Sequence, residues 1–236
     1  MSSMTNLDRL TGSDASTYAQ RFDGESPDHI REAVWKYFGD SFHGIVLDIG
    51  SGNGGWIQYL KRSEKIDRLL STDISDDGAS QIPGVEFKLA DASVALPYES
   101  NSLDAISALE VIEHLVNPRN FMKEVARCLK PGATAIVTTP SNESLRAKIS
   151  FLTRGYFPGF SDFEYHDNGH ISALLEIDMR RMAQEVGLEV MDLCYPNEGL
   201  IPKFTVSWQR FFPNLRGKNW SDNMVIYLKK LPSPLF

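Results

Sequence analysis

The sequence has few cysteines, no excess of basic residues and no long apolar run, and each shortage excludes a class of protein. Its two cysteines, Cys128 and Cys194, lie in apolar stretches typical of core packing, so we expect free thiols and a reducing, cytoplasmic setting. The net charge of −7 disfavours a nucleic-acid partner, because a surface that neutralises phosphates needs an excess of Lys and Arg.

The distribution of apolar residues also gives no sign of a membrane-spanning or secretory segment. No run of about 18 apolar residues occurs, which is the length that a transmembrane helix needs. The first ten residues have no apolar centre followed by small residues, so we expect no signal peptide there. The remaining composition is typical of globular proteins, with 42% hydrophobic and 23% charged residues, and we expect one domain with insertions.

Short apolar runs alternate with helical patterns along most of the chain. Ser26 and Pro27 mark the start of an amphipathic helix that runs to Phe38. Strands are predicted at 44–49, 68–72, 85–89, 103–108, 133–138, 188–193 and 224–228, and further helices around Trp56 and at 75–81, 121–129 and 172–186. This alternation predicts an α/β fold, a Rossmann-like doubly wound sheet of seven strands, mostly parallel with an antiparallel last strand and helices on both faces.

Two stretches interrupt the alternation. Residues 140–171 and 195–222 have no clear period and are rich in aromatic residues, and such long loops in a compact domain are usually functional. We expect a helical cap at residues 1–43, followed by a ligand-binding domain at 44–236 in which these two insertions form a lid or an acceptor pocket. Their rings can equally form a satellite core beneath the loops.

A glycine-rich loop follows the first predicted strand. Gly50, Gly52 and Gly55 fit the G-x-G-x-x-G pattern of dinucleotide-binding loops, and Gly50, Gly52 and Gly54 fit G-x-G-x-G. In both patterns the glycines allow a tight turn and a close approach of the ligand to the next helix. Asp48 favours the second pattern, because a carboxylate at an apolar strand end needs partners, which loop N–H groups and the ammonium of a methionine-type ligand would supply.

Two further carboxylates close the second and third predicted strands. Asp73 is placed to accept both hydroxyls of a ribose, and Asp91 to accept from the exocyclic amine of an adenine. Asp48 and Asp73 could instead cap the helical segments that follow them. Three acidic strand ends in succession nevertheless favour an adenosine-binding crevice at the carboxyl edge of the sheet.

Taken together, these motifs resemble those of the class I S-adenosylmethionine (SAM)-dependent methyltransferases, particularly the ubiquinone-biosynthesis O-methyltransferases and bacterial glycan or small-molecule methyltransferases. The resemblance extends over residues 44–194. It rests on the segments Val46–Gly54, Ser71–Ser75, Ala90–Ala92, Ser107–Leu115 and Leu129–Pro140. It implies SAM as the cofactor and S-adenosylhomocysteine as the product.

The resemblance also implies which residues contact the cofactor. The glycine loop and the carboxylate before it would hold the methionine part, the end of the second strand the ribose, the end of the third strand the adenine, and the end of the fourth strand the sulfonium. An N-terminal segment, Thr17–Phe22, resembles stretches that fold over the cofactor. The implied contacts are Tyr18, Arg21, Asp48, Gly50, Ser51, Gly52, Asp73, Ile74, Asp91, Ala92, Leu109 and Glu110.

Two histidines are candidates for a catalytic base. Methyl transfer from a sulfonium releases a neutral thioether, so positioning and a base for the acceptor carry the catalysis. Histidine suits the task because its ordinary pKa lies near neutrality. The resemblance places His114 by the methyl group, and His170 lies at the end of the first insertion. Each could instead be a packing residue.

The acidic residues beside His114 also admit a metal hypothesis. Some quinone O-methyltransferases with a similar Glu-x-x-Glu-His stretch use a divalent cation near the acceptor, and here the stretch contains Glu110 and Glu113. A further carboxylate would have to come from the insertion, where Asp162, Glu164 and Asp167 are the candidates. Because the sequence contains no complete ligand set, we assign no metal site from the sequence and leave metal dependence open.

We therefore expect a SAM-dependent methyltransferase, a monomer or homodimer, that methylates a hydroxyl of a small molecule or bacterial glycan precursor. One alternative is methylation of a small amine or amine headgroup, which often uses an aromatic cage. Another is an NAD-dependent oxidoreductase, which the glycine loop permits but Asp48 and Asp91 disfavour. A third is a non-catalytic SAM-binding partner subunit. Fold and cofactor do not fix the acceptor.

Overall fold

A computed structural model describes residues 26–76, 78–196 and 198–232. Its strands are β1 (Gly44–Ile49), β2 (Ile66–Asp73), β3 (Glu86–Leu89), β4 (Leu103–Ala108), β5 (Leu129–Pro140), β6 (Leu188–Cys194) and β7 (Asn223–Lys230). They form one sheet in the order β3-β2-β1-β4-β5-β7-β6. Strands β1 to β5 pair in parallel, whereas β7 is antiparallel to both β5 and β6. The predicted seven-stranded sheet with an antiparallel last strand is confirmed.

Helices cover both faces of the sheet, also as predicted. They are α1 (Asp28–Phe38), α2 (Gly55–Leu60), α3 (Pro118–Cys128), α4 (Leu145–Arg154) and α5 (Glu176–Glu185). On one face, Val34 of α1 and Ile57 of α2 are fully buried in one apolar cluster. On the other face, Phe121 of α3 and Met179 of α5 are fully buried in a second. None of the helices in the described ranges is long and apolar enough to cross a membrane.

Helix α4 lies inside the first insertion, where the sequence predicts no regular element. Its N-terminus is capped by Ser144, whose Oγ accepts from the N–H of Ala147 at 3.1 Å, and it ends at Gly155 in the left-handed conformation. The side chains of Phe151 and Leu152 are exposed. The sequence prediction missed this helix, although Ser144 and Gly155 are residues typical of the two ends of a helix.

The predicted start of α5 is wrong by four residues, and hydrogen bonds explain the difference. The pattern predicts a helix from Ser172, but α5 begins at Glu176. The Ser172 hydroxyl donates to the Leu115 carbonyl at 2.8 Å, and its N–H donates to the Glu113 carbonyl at 2.9 Å. The chain is thereby held extended against the turn after β4, and the end of the first insertion is fixed to the core.

Other element boundaries differ by a few residues. The helix predicted at 75–81 is a 3₁₀ turn at Gly78–Gln81. Helix α3 starts at Pro118, because Asn117 caps it by accepting from the N–H of Asn120 at 3.0 Å. Strand β5 starts at Leu129 and continues through an irregularity in its pairing with β4, so it is longer than the predicted 133–138.

The order of the strands determines where a ligand can bind. From β1 the chain continues to β2 and β3 on one side of the sheet, then crosses to β4 and β5 on the other. The carboxyl ends of β1 and β4 therefore diverge at a topological switch point, which is where doubly wound sheets bind ligands. Asp48 lies at this point, and Asp73 ends the neighbouring strand β2.

Candidate functional site

Asp48 is a buried carboxyl group at the switch point. Its side chain accepts a hydrogen bond from the Ser107 hydroxyl at 2.8 Å, because the β1–β4 register places these residues opposite each other. Burial raises the pKa of Asp48 to about 8, with a smaller contribution from the nearby negative charge of Asp73. A cationic ligand group at this position would favour the ionised carboxylate.

The glycine loop has a backbone shape that L side chains rarely adopt. Gly50 has φ of +69°, and a Cβ atom there would lie 2.4 Å from Cγ2 of Val111. The N–H of Gly50 donates to the carbonyl of Thr72 at 2.8 Å, which fixes the loop against β2. Only glycine satisfies both the conformation and the space, so the loop requires Gly50 for structural reasons.

Asp73 and Asp91 bond to local backbone groups. Asp73 accepts from the N–H of Gly52 at 2.9 Å and from the N–H of Ser75 at 3.0 Å, so it links the glycine loop to the end of β2. Asp91 accepts from the N–H of Ser93 at 2.8 Å. The bond from Ser75 matches the capping alternative for Asp73, and each carboxylate retains acceptor capacity for a ligand. Roles in binding ribose and adenine remain predictions.

A small cleft opens beside the glycine loop. Its walls are formed by α1, the end of β1, the loop, the start of α2 and the end of β4, through Ser26, Arg31, Asp48, Gly50, Ser51, Gly55, Trp56 and Leu109. The predicted contacts Asp48, Gly50, Ser51 and Leu109 are thus brought together. The lining does not include Asp73, Ile74, Asp91 or Ala92. Tyr18 and Arg21 lie outside the described residues.

Arg31 is a cleft residue that the sequence does not reveal. It lies on α1, is only 7% exposed, and its guanidinium contacts the carboxylate of Asp28. In the sequence it is an ordinary charge on an amphipathic helix. In the structure it shares the cleft with Asp48. A guanidinium and a carboxylate facing one cleft match the carboxylate and the ammonium of an amino acid, so these residues fit the methionine part of SAM.

Glu110 is held in a strained conformation at the end of β4. Its φ of +55° is unusual for a residue other than glycine. Its N–H donates to the Thr138 hydroxyl at 2.8 Å, this hydroxyl donates back to the carboxylate at 2.8 Å, and Asn223 donates to the other carboxylate oxygen at 2.8 Å. Burial raises the pKa of Glu110 to about 7, although the bonds from Thr138 and Asn223 lower it. Sequence reasoning missed both partners because they come from β5 and β7.

The two candidate histidines, which lie far apart in sequence, are in contact. The ring centroids of His114 and His170 are 4.8 Å apart in an edge-to-face arrangement. Burial, reinforced by His170, lowers the pKa of His114 to about 4. The contact exists because the N–H groups of Ile171 and Ser172 both donate to the Glu113 carbonyl, which brings the end of the insertion to the turn that carries His114.

Comparison with protein families gives one match to a methyltransferase domain, over residues 19–193. The chain is 23% identical over 150 residues to the ubiquinone biosynthesis O-methyltransferase of Thiobacillus denitrificans, covering 64% of this chain and 62% of that protein. It is 36% identical over 101 residues to a fatty-acid O-methyltransferase of Mycolicibacterium smegmatis, covering 39% and 36%. The chain thus matches less than two thirds of the length of these relatives.

Solved structures show the same fold at low identity. A SAM-dependent methyltransferase of Thermotoga maritima superposes with a TM-score of 0.61 and 18% identity, covering 95% of this chain and 94% of that chain. The cyclase SpnF superposes with a TM-score of 0.58 and 16% identity, covering 90% and 85%. Because one neighbour is a cyclase, the fold alone does not establish the reaction.

The family match and the site lead to the same assignment. The match spans the strands β1 to β5, the glycine loop and both candidate histidines. The cleft at the switch point presents a buried carboxyl and a guanidinium beside a loop that admits only glycine at Gly50. This chain belongs to the class I SAM-dependent methyltransferases.

Proposed function

We propose that the chain is an O-methyltransferase that transfers the methyl group of SAM to a hydroxyl of a small molecule or glycan precursor. The observation that carries the proposal is the orientation of His170. Its Nδ1 lies 2.7 Å from the carbonyl oxygen of Gly159, an atom that can only accept, so Nδ1 holds the hydrogen and Nε2 keeps its lone pair. A hydroxyl acceptor needs such a base.

The residues of the cleft would orient the cofactor for this reaction. Asp48 and Arg31 would bind its ammonium and carboxylate, and Leu109 and Glu110 would lie beside the sulfonium. When bound, SAM supplies the methyl group and leaves as a neutral thioether, so no acid is needed for the leaving group. His170 would accept the hydroxyl proton at Nε2 as the oxygen attacks the methyl carbon.

His114 would assist by remaining neutral. With a pKa lowered to about 4, it carries no charge near neutral pH and does not oppose protonation of His170. His114 is therefore assigned a positioning role, and the proton transfer is assigned to His170.

Aromatic side chains near His170 support an acceptor with an apolar body. The ring of Phe160 lies 5.6 Å from the His170 ring, and Phe151 stacks on Phe157 at 5.1 Å in the same insertion. The relatives described above are named for ubiquinone biosynthesis and for fatty acids. Phenols, quinols and lipid hydroxyls are therefore the first acceptors to test, followed by sugars.

A screen with methyl-labelled SAM tests the proposal. Phenols, quinols, hydroxylated and free fatty acids, sugars and amines are each offered to the purified full chain, and the labelled atom is identified by mass spectrometry. We expect label on oxygen. His170→Ala should lower kcat about 10²- to 10⁴-fold with little change in SAM affinity. His166→Ala is the matched control, because His166 is exposed on the neighbouring turn. Label on amines alone, or equal kcat in both variants, would refute the proposal.

A further inference from the structure

We infer that Glu113, His114 and His170 form a binding site for one divalent transition-metal ion. One ligand atom from each of these side chains lies within 4.8 Å of the others, without any rearrangement of the backbone. Bonds to nitrogen and oxygen of about 2.0 to 2.2 Å keep two ligand atoms of one ion within about 4.4 Å of each other, so small side-chain rotations would bring these three atoms onto one ion. This set of one carboxylate and two imidazoles differs from the carboxylate-rich set that the sequence suggests.

Glu113 provides the first independent argument for an ion. Its side chain is fully buried, and neither carboxylate oxygen has a hydrogen-bond partner in the described part of the chain. The hydroxyl of the neighbouring Thr139 likewise has no hydrogen-bond partner among the described residues. A buried carboxyl without partners is costly, and a bound cation would remove that cost.

The imidazole of His170 is oriented as a neutral ligand. The Nδ1–H of His170 is fixed on the Gly159 carbonyl, which leaves Nε2 free to bind. This is the arrangement usual for metal-bound histidines, in which the second ring nitrogen donates to a carbonyl or carboxylate and so orients the ring.

The other acidic residues considered from the sequence are poor ligands. Glu110 already accepts from Thr138 and Asn223. Glu164 accepts from the side chain of Asn168, and Asp162 and Asp167 are exposed. The geometry therefore replaces a carboxylate-rich set with two nitrogens and one oxygen.

This donor set selects the kind of ion. Imidazole suits Zn²⁺, Co²⁺ and other transition metals, whereas Mg²⁺ and Ca²⁺ prefer oxygen ligands throughout. Two histidines and one carboxylate with further positions open are typical of catalytic rather than structural sites. We therefore expect Zn²⁺ or Co²⁺ to bind and Mg²⁺ to bind much more weakly.

A role for the ion rests on the proposed O-methyl transfer. An ion at this site would lower the pKa of an acceptor hydroxyl, whose proton would then pass to solvent instead of to His170. The site also joins the turn after β4 to the end of the first insertion. Ion binding should therefore protect the insertion, residues 155–171, from proteolysis.

Metal titrations of the full chain test the inference without acceptor or SAM. The chain is freed of any affinity tag, stripped with a chelator and titrated with Co²⁺, and binding is followed by the visible absorption of the ion and by calorimetry. We expect one ion per chain. His170→Ala and Glu113→Gln should each weaken binding by about 100-fold or more, and His166→Ala should leave it unchanged. Circular dichroism checks that each variant is folded.

The possible results separate this inference from the proposed function. If no Co²⁺ or Zn²⁺ binds at millimolar concentration, or if His170→Ala and Glu113→Gln bind as the wild type does, the metal site is refuted. O-methyl transfer with His170 as base would then still stand on the labelling screen. If the ion binds as expected but no hydroxyl acceptor is labelled, the proposed function fails and the metal site remains.

Discussion

The hydroxyl of Ser107 donates to the carboxyl of Asp48 across 2.8 Å, at the point where β1 and β4 end side by side. This bond gives the buried carboxyl one partner, which is too few to offset the loss of water, and the pKa of Asp48 rises to about 8. Without a cationic partner, Asp48 is therefore protonated near neutral pH. Binding of a cationic ammonium requires that proton to leave.

The first prediction is that SAM affinity rises with pH between about 6 and 8. Below pH 8 each binding event must release the proton of Asp48, so affinity should increase by up to about tenfold per pH unit. Near pH 8 the α-amino group of the ligand begins to lose its own proton, and the affinity should level off. Calorimetry at several pH values, in buffers of different ionisation enthalpy, measures both affinity and proton release.

Asp48→Asn provides the control for this prediction. The variant keeps a polar group at the site but has no proton to release, so it should bind SAM more weakly and with a much flatter pH profile. A wild-type affinity that is constant or falls between pH 6 and 7.5 would contradict the assignment of the ammonium to Asp48.

The second prediction concerns the stability of the chain without SAM. The pKa of Asp48 is about 8 in the folded state against an ordinary value of 3.8, so the folded state binds more protons than the unfolded state between these values. The contribution of the Asp48 carboxyl to the free energy of unfolding is fully present below pH 3.8. It is lost as the pH rises toward 8, by up to about 1.4 kcal/mol per pH unit. Urea unfolding at pH 5, 6 and 7 should show wild type losing stability relative to Asp48→Asn, and parallel profiles would contradict it.

The third prediction compares two glycines with similar backbone conformations. Gly50 and Gly84 have φ of +69° and +78°, but a Cβ at Gly50 would clash with Val111, whereas a Cβ at Gly84 would meet nothing within 4 Å. Gly84→Ala should cost only the backbone strain, about 1 to 2 kcal/mol, and should retain SAM binding. Gly50→Ala should be less stable and should lose SAM affinity more than tenfold. Unfolding and calorimetry measure both, and equal effects would mean that the loop tolerates a side chain.

The parts of the site that the sequence predicts are those encoded by neighbouring residues. Asp48 and Gly50 stand within one strand-and-loop motif, and their chemistry is readable without a partner. Ser107 and Thr138 are ordinary polar residues in buried strands, and they become informative only when strand pairing places them opposite Asp48 and beside Glu110. Tertiary contacts of this kind leave no local pattern.

The cluster of histidines shows the same limit more clearly. Sequence reasoning treated His114 and His170 as alternatives, because nothing in the chain between them indicates that they meet. They are in contact because two N–H groups after His170 donate to the carbonyl of Glu113. The same bonds hold the segment before α5 extended, so the wrongly predicted helix start and the missed contact have one physical cause.

The last prediction tests the bonds that hold Glu110. Thr138→Val keeps the shape of the side chain but removes the hydroxyl that accepts from the Glu110 N–H and donates to its carboxylate. Two polar groups then lose a partner, so the free energy of unfolding should fall by about 2 to 4 kcal/mol. The pKa of Glu110 should also rise above about 7, because this bond opposes the effect of burial.

Two further variants separate the hydrogen bonds of Thr138 from the mere presence of a buried hydroxyl. Thr138→Ser keeps the hydroxyl and should recover most of the lost stability. Ser71→Ala removes a fully buried hydroxyl that has no hydrogen-bond partner in the described ranges, so it should cost less than about 1 kcal/mol. Urea unfolding at pH 7 compares all three. If Ser71→Ala were as harmful as Thr138→Val, loss of packing at the carboxyl edge of the sheet, rather than support of Glu110, would explain the effect.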